Sequence, residues 1–195
     1  MDPQIERHPF EPFLPEGAKV LMLGSFPPQK KRWSMEFYYP NFINDFWRII
    51  GLLFFEDKDW FVDKVAKRFK LQEIKEFCAE KGIAMFDTAT AVRRLKDNAS
   101  DKFLEVVEPT DIPALLRRIP FCGAVVVTGE KAAQTLCAAF GTEAPAVGEF
   151  SQFSFEGRYL RLYRMPSTSR AYPLPIQKKA DVYRRLFEDL GVILI

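Results

Sequence analysis

The sequence predicts an α/β fold, a three-layer α/β/α sandwich around a central, mainly parallel four-stranded sheet. Three observations carry this. The run Val20-Leu21-Met22-Leu23 is apolar on both faces and stops at Gly24, as a strand covered on two sides should. Segments of helical spacing alternate with such runs along the chain. The 195 residues, 48% hydrophobic and 28% charged, suffice for one sizeable core, with no internal repeat or linker to divide them. Residues 1–195 are therefore expected to form a single domain.

Residues 1–17 contain Pro3, Pro9, Pro12, Pro15 and Gly17, which exclude a helix and predict an extended N-terminal arm packed by Phe10 and Phe13. The first strand covers 19–23, and a loop over 24–33 leads to the aromatic stretch Phe37-Tyr38-Tyr39. The spacing of Phe42, Phe46, Ile49, Ile50 and Leu53 predicts a helix with Asn41 as its N-cap. A second helix is expected over 60–80, closing at Lys81-Gly82, before a second strand over 83–87. Residues 97–109 read as a polar, irregular crossing, and Asp111 caps a short helix through Leu116. A third strand over 124–127 ends at Thr128-Gly129, and an Ala-rich helix covers 130–140. Residues 150–164 alternate like a hairpin around Glu156-Gly157, and an amphipathic helix over 175–190 closes the chain.

Composition excludes several classes of function. Lys and Arg number 28 against 26 Asp and Glu, too balanced for a protein that holds polyanions by bulk charge, so any nucleic-acid site must be local. His8 is the single histidine, which disfavours His-based triads and metal clusters. Cys78, Cys122 and Cys137 are far apart and read as buried, reduced thiols of a cytoplasmic protein. The first residues are charged rather than apolar, and no apolar run approaches a membrane span, so a soluble chain with no membrane role is expected. The 19 Phe, six Tyr and three Trp exceed what such a core needs, and part of that surface could face a ligand.

In a parallel sheet the ligand is expected at the C-terminal ends of the strands. Those ends carry Gly24-Ser25-Phe26-Pro27, Asp87-Thr88, Thr128-Gly129 and Pro166-Ser167-Thr168-Ser169. Each has a bland reading when taken alone. Gly-Ser-x-Pro can be a plain strand-ending turn, without the glycines of a P-loop or dinucleotide fingerprint. Asn44 can be a solvated residue of an amphipathic helix, Tyr38 and Tyr39 core aromatics, and Asp87 a turn carboxylate. The Pro-Ser-Thr-Ser stretch between Arg164 and Arg170 can be a simple loop or a phosphate contact.

Their conjunction is more specific. Gly24-Ser25-Phe26-Pro27, then Tyr38-Tyr39, Asn44-Asp45-Phe46-Trp47, strand residues up to Asp87, and Met165-Pro166-Ser167-Thr168-Ser169 occur in one order. That order resembles the uracil-DNA glycosylase superfamily, closest to the branch of hypoxanthine-DNA (deoxyinosine) glycosylases and mismatch-specific uracil/thymine enzymes. The resemblance runs from His8-Pro9-Phe10 to the last helix, and Asn-x-Phe-Trp is its most specific piece.

The resemblance implies a base pocket of Gly24, Ser25, Phe26, Pro27, Tyr39 and Asp87, with Tyr39 stacking on a flipped base and Asp87 beside its edge. Several branches carry a water-activating Asp or Asn where this chain has Phe26; in the hypoxanthine-type branch the Asn of Asn-x-Phe-Trp takes that role, which falls to Asn44 as the catalytic residue. Pro166, Ser167, Thr168, Ser169 and Arg170 match the loop that presses on DNA, although its frequent first-position His or Asn is Met165 here. No cofactor, metal or iron–sulfur cluster is implied.

The expected activity is that of a monomeric, monofunctional glycosylase on DNA containing a deaminated or mismatched base. It would flip out uracil, hypoxanthine or a related base and hydrolyse its N-glycosidic bond with a positioned water. Lys30, Lys31, Arg32, Arg93, Arg94, Arg164 and Arg170 are expected to gather as a phosphate footprint. The competing readings are a nucleic-acid-binding relative of weak or absent activity and a small-molecule α/β hydrolase, the latter disfavoured by the lack of a nucleophile elbow.

Overall fold

The structure, a computed structural model, describes residues 4–96 and 100–192. Strand β1 (Ile5–Arg7) opens the arm, and β2 (Val20–Gly24), wholly buried, follows it. Helix α1 covers Phe46–Phe55. The two-residue strands β3 (Val62–Asp63) and β4 (Arg68–Phe69) precede α2 (Leu71–Lys81). Next come β5 (Ile83–Asp87), β6 (Ala89–Arg94), β7 (Leu104–Pro109) and α3 (Ile112–Arg118). The chain continues through β8 (Ala124–Thr128), α4 (Glu130–Phe140), β9 (Phe150–Phe155), β10 (Arg158–Met165) and α5 (Ile176–Asp189).

The main sheet has the order β5-β2-β8-β10-β9, with the first four strands parallel and β9 antiparallel at the edge. It is the predicted sheet plus one strand: the first arm of the predicted hairpin joins it, through a turn in which Glu156 and Gly157 both take positive φ, as a tight primed turn requires. Phe54 of α1 packs on Phe77 of α2 and Phe187 of α5, so these three helices share one layer. Helix α4 packs on β8 and also meets β7. Taken in chain order the parallel strands stand second, first, third, fourth. The connections therefore reverse direction between β2 and β8, the point at which an open α/β sheet forms a ligand crevice at its strand C-termini.

Three expectations are corrected. The helix predicted over 60–80 begins only at Leu71, because Asp63 Oδ1 accepts the Val65 and Ala66 N–H groups and holds a β3–β4 turn in which Lys67 has φ 49°. Asn41 is not an N-cap. Its Oδ1 accepts from Ile43 N, Asn44 Oδ1 accepts from Phe46 N, and these two local turns delay α1 to Phe46. The crossing expected to be irregular is strand β7, which with β6 and β1 forms a second, three-stranded antiparallel sheet; Asp97 lies outside the described residues.

The arm packs as expected. Phe10 and Phe13 lie against the main core, and Phe13 exchanges backbone hydrogen bonds with Met85. Asp111 caps α3 by accepting from Ala114 N, and Gly82 closes α2 at φ 69°. All three cysteines are buried free thiols, with Cys122 pushed up to about 11 by burial. Among the described residues no helix is long and apolar enough to cross a membrane.

Candidate active site

The crevice between β2 and β8 is where the polar groups meet. Gly24 ends β2 in register with Asp87, the last residue of β5. A Cβ on Gly24 would stand 2.6 Å from Asp87 Oδ1, so the glycine is what lets that carboxyl group close over this loop; Tyr39 Oη, at 3.5 Å, would meet it in ordinary contact. Tyr39 Oη is 2.5 Å from Thr128 Oγ1 at the end of β8, and Thr128 also donates to Leu23 O. Burial, with Asp87 and Asp101 nearby, raises the Tyr39 pKa well above its ordinary value, so its hydroxyl stays protonated. Its backbone has φ 53°, a left-handed conformation rare in a bulky residue. One face of the ring stacks on Phe46, with centroids 3.9 Å apart and planes 10° from parallel.

Asp87 is buried, and its Oδ2 accepts from His8 Nε2 at 2.8 Å. At the other edge of the ring, His8 Nδ1 lies 3.1 Å from Phe10 N and 3.0 Å from Phe10 O, so both ring nitrogens are held. His8 packs against Phe26 and Phe86. Composition had set this residue aside; the structure puts it in the site. The signal available in the sequence was His8-Pro9-Phe10, at the start of the matching order but without a role.

Ser25 Oγ donates to Asp101 Oδ2 at 2.6 Å. Asp101 opens the short 3-10 turn Asp101–Phe103 and is exposed. Burial and then Asp87 raise its pKa, against lowering by Ser25, Arg94 and Lys131. The sequence reading missed Asp101 because it lies in the polar crossing. Phe26 packs on the His8 ring and into a small apolar cluster with Ala89, Val92 and Leu104. Pro27 accepts from Arg94 through its carbonyl, and Arg94 also pairs bidentately with Glu6. Arg93 pairs with Glu105. Both arginines of the expected phosphate footprint are paired within the chain.

The second loop closes the other side. Met165 is buried in register with Thr128, and Pro166 O accepts from Tyr183. Ser167 lies against Gly129 and accepts from Ser169 N. Thr168 is buried, and its carbonyl accepts from Asp45 N; Ser169 O accepts from Lys179 Nζ at 2.8 Å. Asp45 stands at the N-cap of α1 but does not cap it, because its carboxylate is drawn to Arg170 at 3.1 Å and to buried Lys179 at 3.4 Å. These residues join Arg48, Lys58 and Asp59 around an open depression of about 520 Å³ with four cations and two carboxylates. Asn44 lies beside it. Among the described residues no hydrogen bond joins Asn44 to Asp87 or Ser25; the link is Phe46, whose N–H bonds Asn44 and whose ring carries Tyr39.

The solution NMR structure of a candidate uracil DNA glycosylase from Methanosarcina acetivorans matches this architecture at a TM-score of 0.61, covering 96% of this chain and 99% of that one, at 21% identity. The two chains share a fold. No protein-family model and no curated protein matches the sequence. In this shared fold the ends of β2, β5, β8 and β10 bring the Gly24–Pro27 loop, Asp87, Thr128 and the 166–170 loop to one edge of the sheet.

Proposed function

We propose that the protein is a monofunctional DNA glycosylase of base-excision repair. It acts as a single-domain monomer on a deaminated base such as uracil or hypoxanthine, flipped out of DNA. The observation that carries this is the convergence of Asp87, Tyr39 and Thr128 with the loop after β2 at the reversal of strand order, opposite a second loop anchored on Asp45.

A base inside a duplex is inaccessible, so it must be extruded into a pocket with a flat face and edge-reading polar groups. The Asp87 carboxyl group, steadied by His8, offers an acceptor to the ring N–H that uracil and hypoxanthine share. Asn44 uses its carbonyl oxygen on Phe46 N and keeps its amide hydrogens for the departing base or a water. Bond cleavage spreads positive charge on the sugar and negative charge on the base, so fixed dipoles at the strand ends accelerate it without a covalent intermediate. Arg170 and the Ser167–Ser169 backbone contact phosphate, supported by the cationic depression beside them.

The test is a panel of duplexes each bearing one uracil, hypoxanthine, xanthine or mismatched thymine. The wild-type chain should release free base from at least one, and Asn44→Ala should cut the single-turnover rate far more than duplex binding. Release from none would overturn the proposal. A second reading is favoured by one observation, that Phe26 and Met165 bury apolar side chains in the core and offer the crevice no polar group. On that reading the protein binds nucleic acid with strong salt dependence and releases nothing.

A further inference from the structure

We propose that Asp101 is the general base of this crevice, the carboxylate that takes a proton from the attacking water; this rests on the glycosylase reading above. Hydrolysis must dispose of a water proton, and the groups already placed cannot take it. Asn44 has its acceptor oxygen on Phe46 N and otherwise only donates. Asp87 is buried, holds His8 through Oδ2 and, on the glycosylase reading, is engaged by the edge of the base. Tyr39 is kept protonated by burial.

Asp101 differs on each count. The residue is exposed, where Asp87 is buried. Ser25, in the loop that follows β2 and next to Gly24, fixes Oδ2 at 2.6 Å, and among the described residues nothing hydrogen-bonds Oδ1. That bond fixes the orientation of the carboxyl group and leaves Oδ1 turned from the serine.

The charged and titratable groups around it come from several elements: Asp87 from β5, Arg94 from β6, Lys131 from α4, and Tyr39 from the segment before α1. Their balance, with burial, raises its pKa while Ser25 opposes the rise, and a raised pKa makes a carboxylate a better base near neutrality. In the step, the water oxygen bonds to the sugar carbon as the bond to the base nitrogen breaks. The electron pair leaves on the base, and one water proton passes to Asp101, which returns it to the base anion or solvent.

The experiment is a single-turnover pH–rate profile of the full chain on a released lesion. Wild-type rate should fall about tenfold per pH unit below the Asp101 pKa. Asp101→Asn should lose about 100-fold or more, keep duplex binding within a few-fold, and lose the acidic limb. Ser25→Ala removes a hydrogen bond to the ionised form and should move the limb to higher pH. A D101N rate within threefold of wild type, or an acidic limb that survives in D101N or stays unmoved in S25A, would overturn this inference while leaving the glycosylase reading intact. A wild-type chain that releases no base overturns both.

Discussion

His8 Nε2 lies 2.8 Å from Asp87 Oδ2, with the two side chains 4% and 9% exposed, so the N-terminal arm supplies the hydrogen bond that holds a buried carboxylate at the end of β5. The arm is thereby part of the crevice. Its β1 pairs with β6, Phe13 pairs with Met85 of β5, and between those two anchors His8 reaches the site. Removing the ring while the carboxylate stays buried should destabilise the protein by about 2 kcal/mol, the usual loss for a hydrogen bond to a charged group. Urea denaturation of His8→Ala should show this as a lower midpoint at unchanged slope, and base release should fall with it. Unchanged stability would show that the pair does not hold Asp87.

Gly24 tests the close approach. In Gly24→Ala the new methyl would need the space of Asp87 Oδ1, 2.6 Å away, and His8 denies that carboxylate an easy retreat. The expected cost is about 1–3 kcal/mol from overpacking, with at least a tenfold drop in base release. A variant with wild-type kinetics would mean that Asp87 does not need its present position.

Tyr39→Phe separates the hydroxyl from the ring. The stack on Phe46 survives, while the bond to Thr128 is lost, for about 1 kcal/mol in stability. Thermal melts and base release measured together should show a larger effect on catalysis than on folding if the hydroxyl orders the end of β8 for substrate.

Asp45 is the anchor of the second loop. Asp45→Ala leaves the Lys179 ammonium buried with only Ser169 O as partner, and breaking a buried pair from one side costs about 3 kcal/mol. Combining it with Lys179→Met should recover much of that loss. A double variant as unstable as the single one would show that Asp45 acts through Arg170 or the loop backbone instead.

Asp101 should trade stability against function. Its pKa is raised in the folded state, so the folded protein binds the proton more tightly than the unfolded chain. Its contribution is therefore most favourable below the ordinary carboxylate value and is lost as pH rises through the folded one. Asp101→Asn should melt at a higher temperature than wild type at neutral pH, with the difference vanishing in acid. A melting temperature independent of this residue at every pH would argue against the crowded surroundings described for it.

Local chemistry made much of the molecule legible before any coordinates. The glycine at the end of α2, the Asp111 cap, the Glu156-Gly157 turn and the doubly apolar β2, β5 and β8 are each decided by neighbours within a few residues. The reading failed where polar side chains bent the chain locally, as Asp63 did before α2 and Asn41 and Asn44 did before α1. It failed again at β6 and β7, which are strands because they pair with each other and with the arm.

The sequence alone determined the α/β class, the order of the principal strands and the loops that would end them, because apolar period and turn chemistry are local. Only the tertiary structure decided what those loops face. It brought His8 to Asp87 across 79 positions and Asp101 to Ser25 across 76. No periodicity encodes such contacts, since they depend on where a crossover returns the chain and on which buried carboxylate needs a partner there.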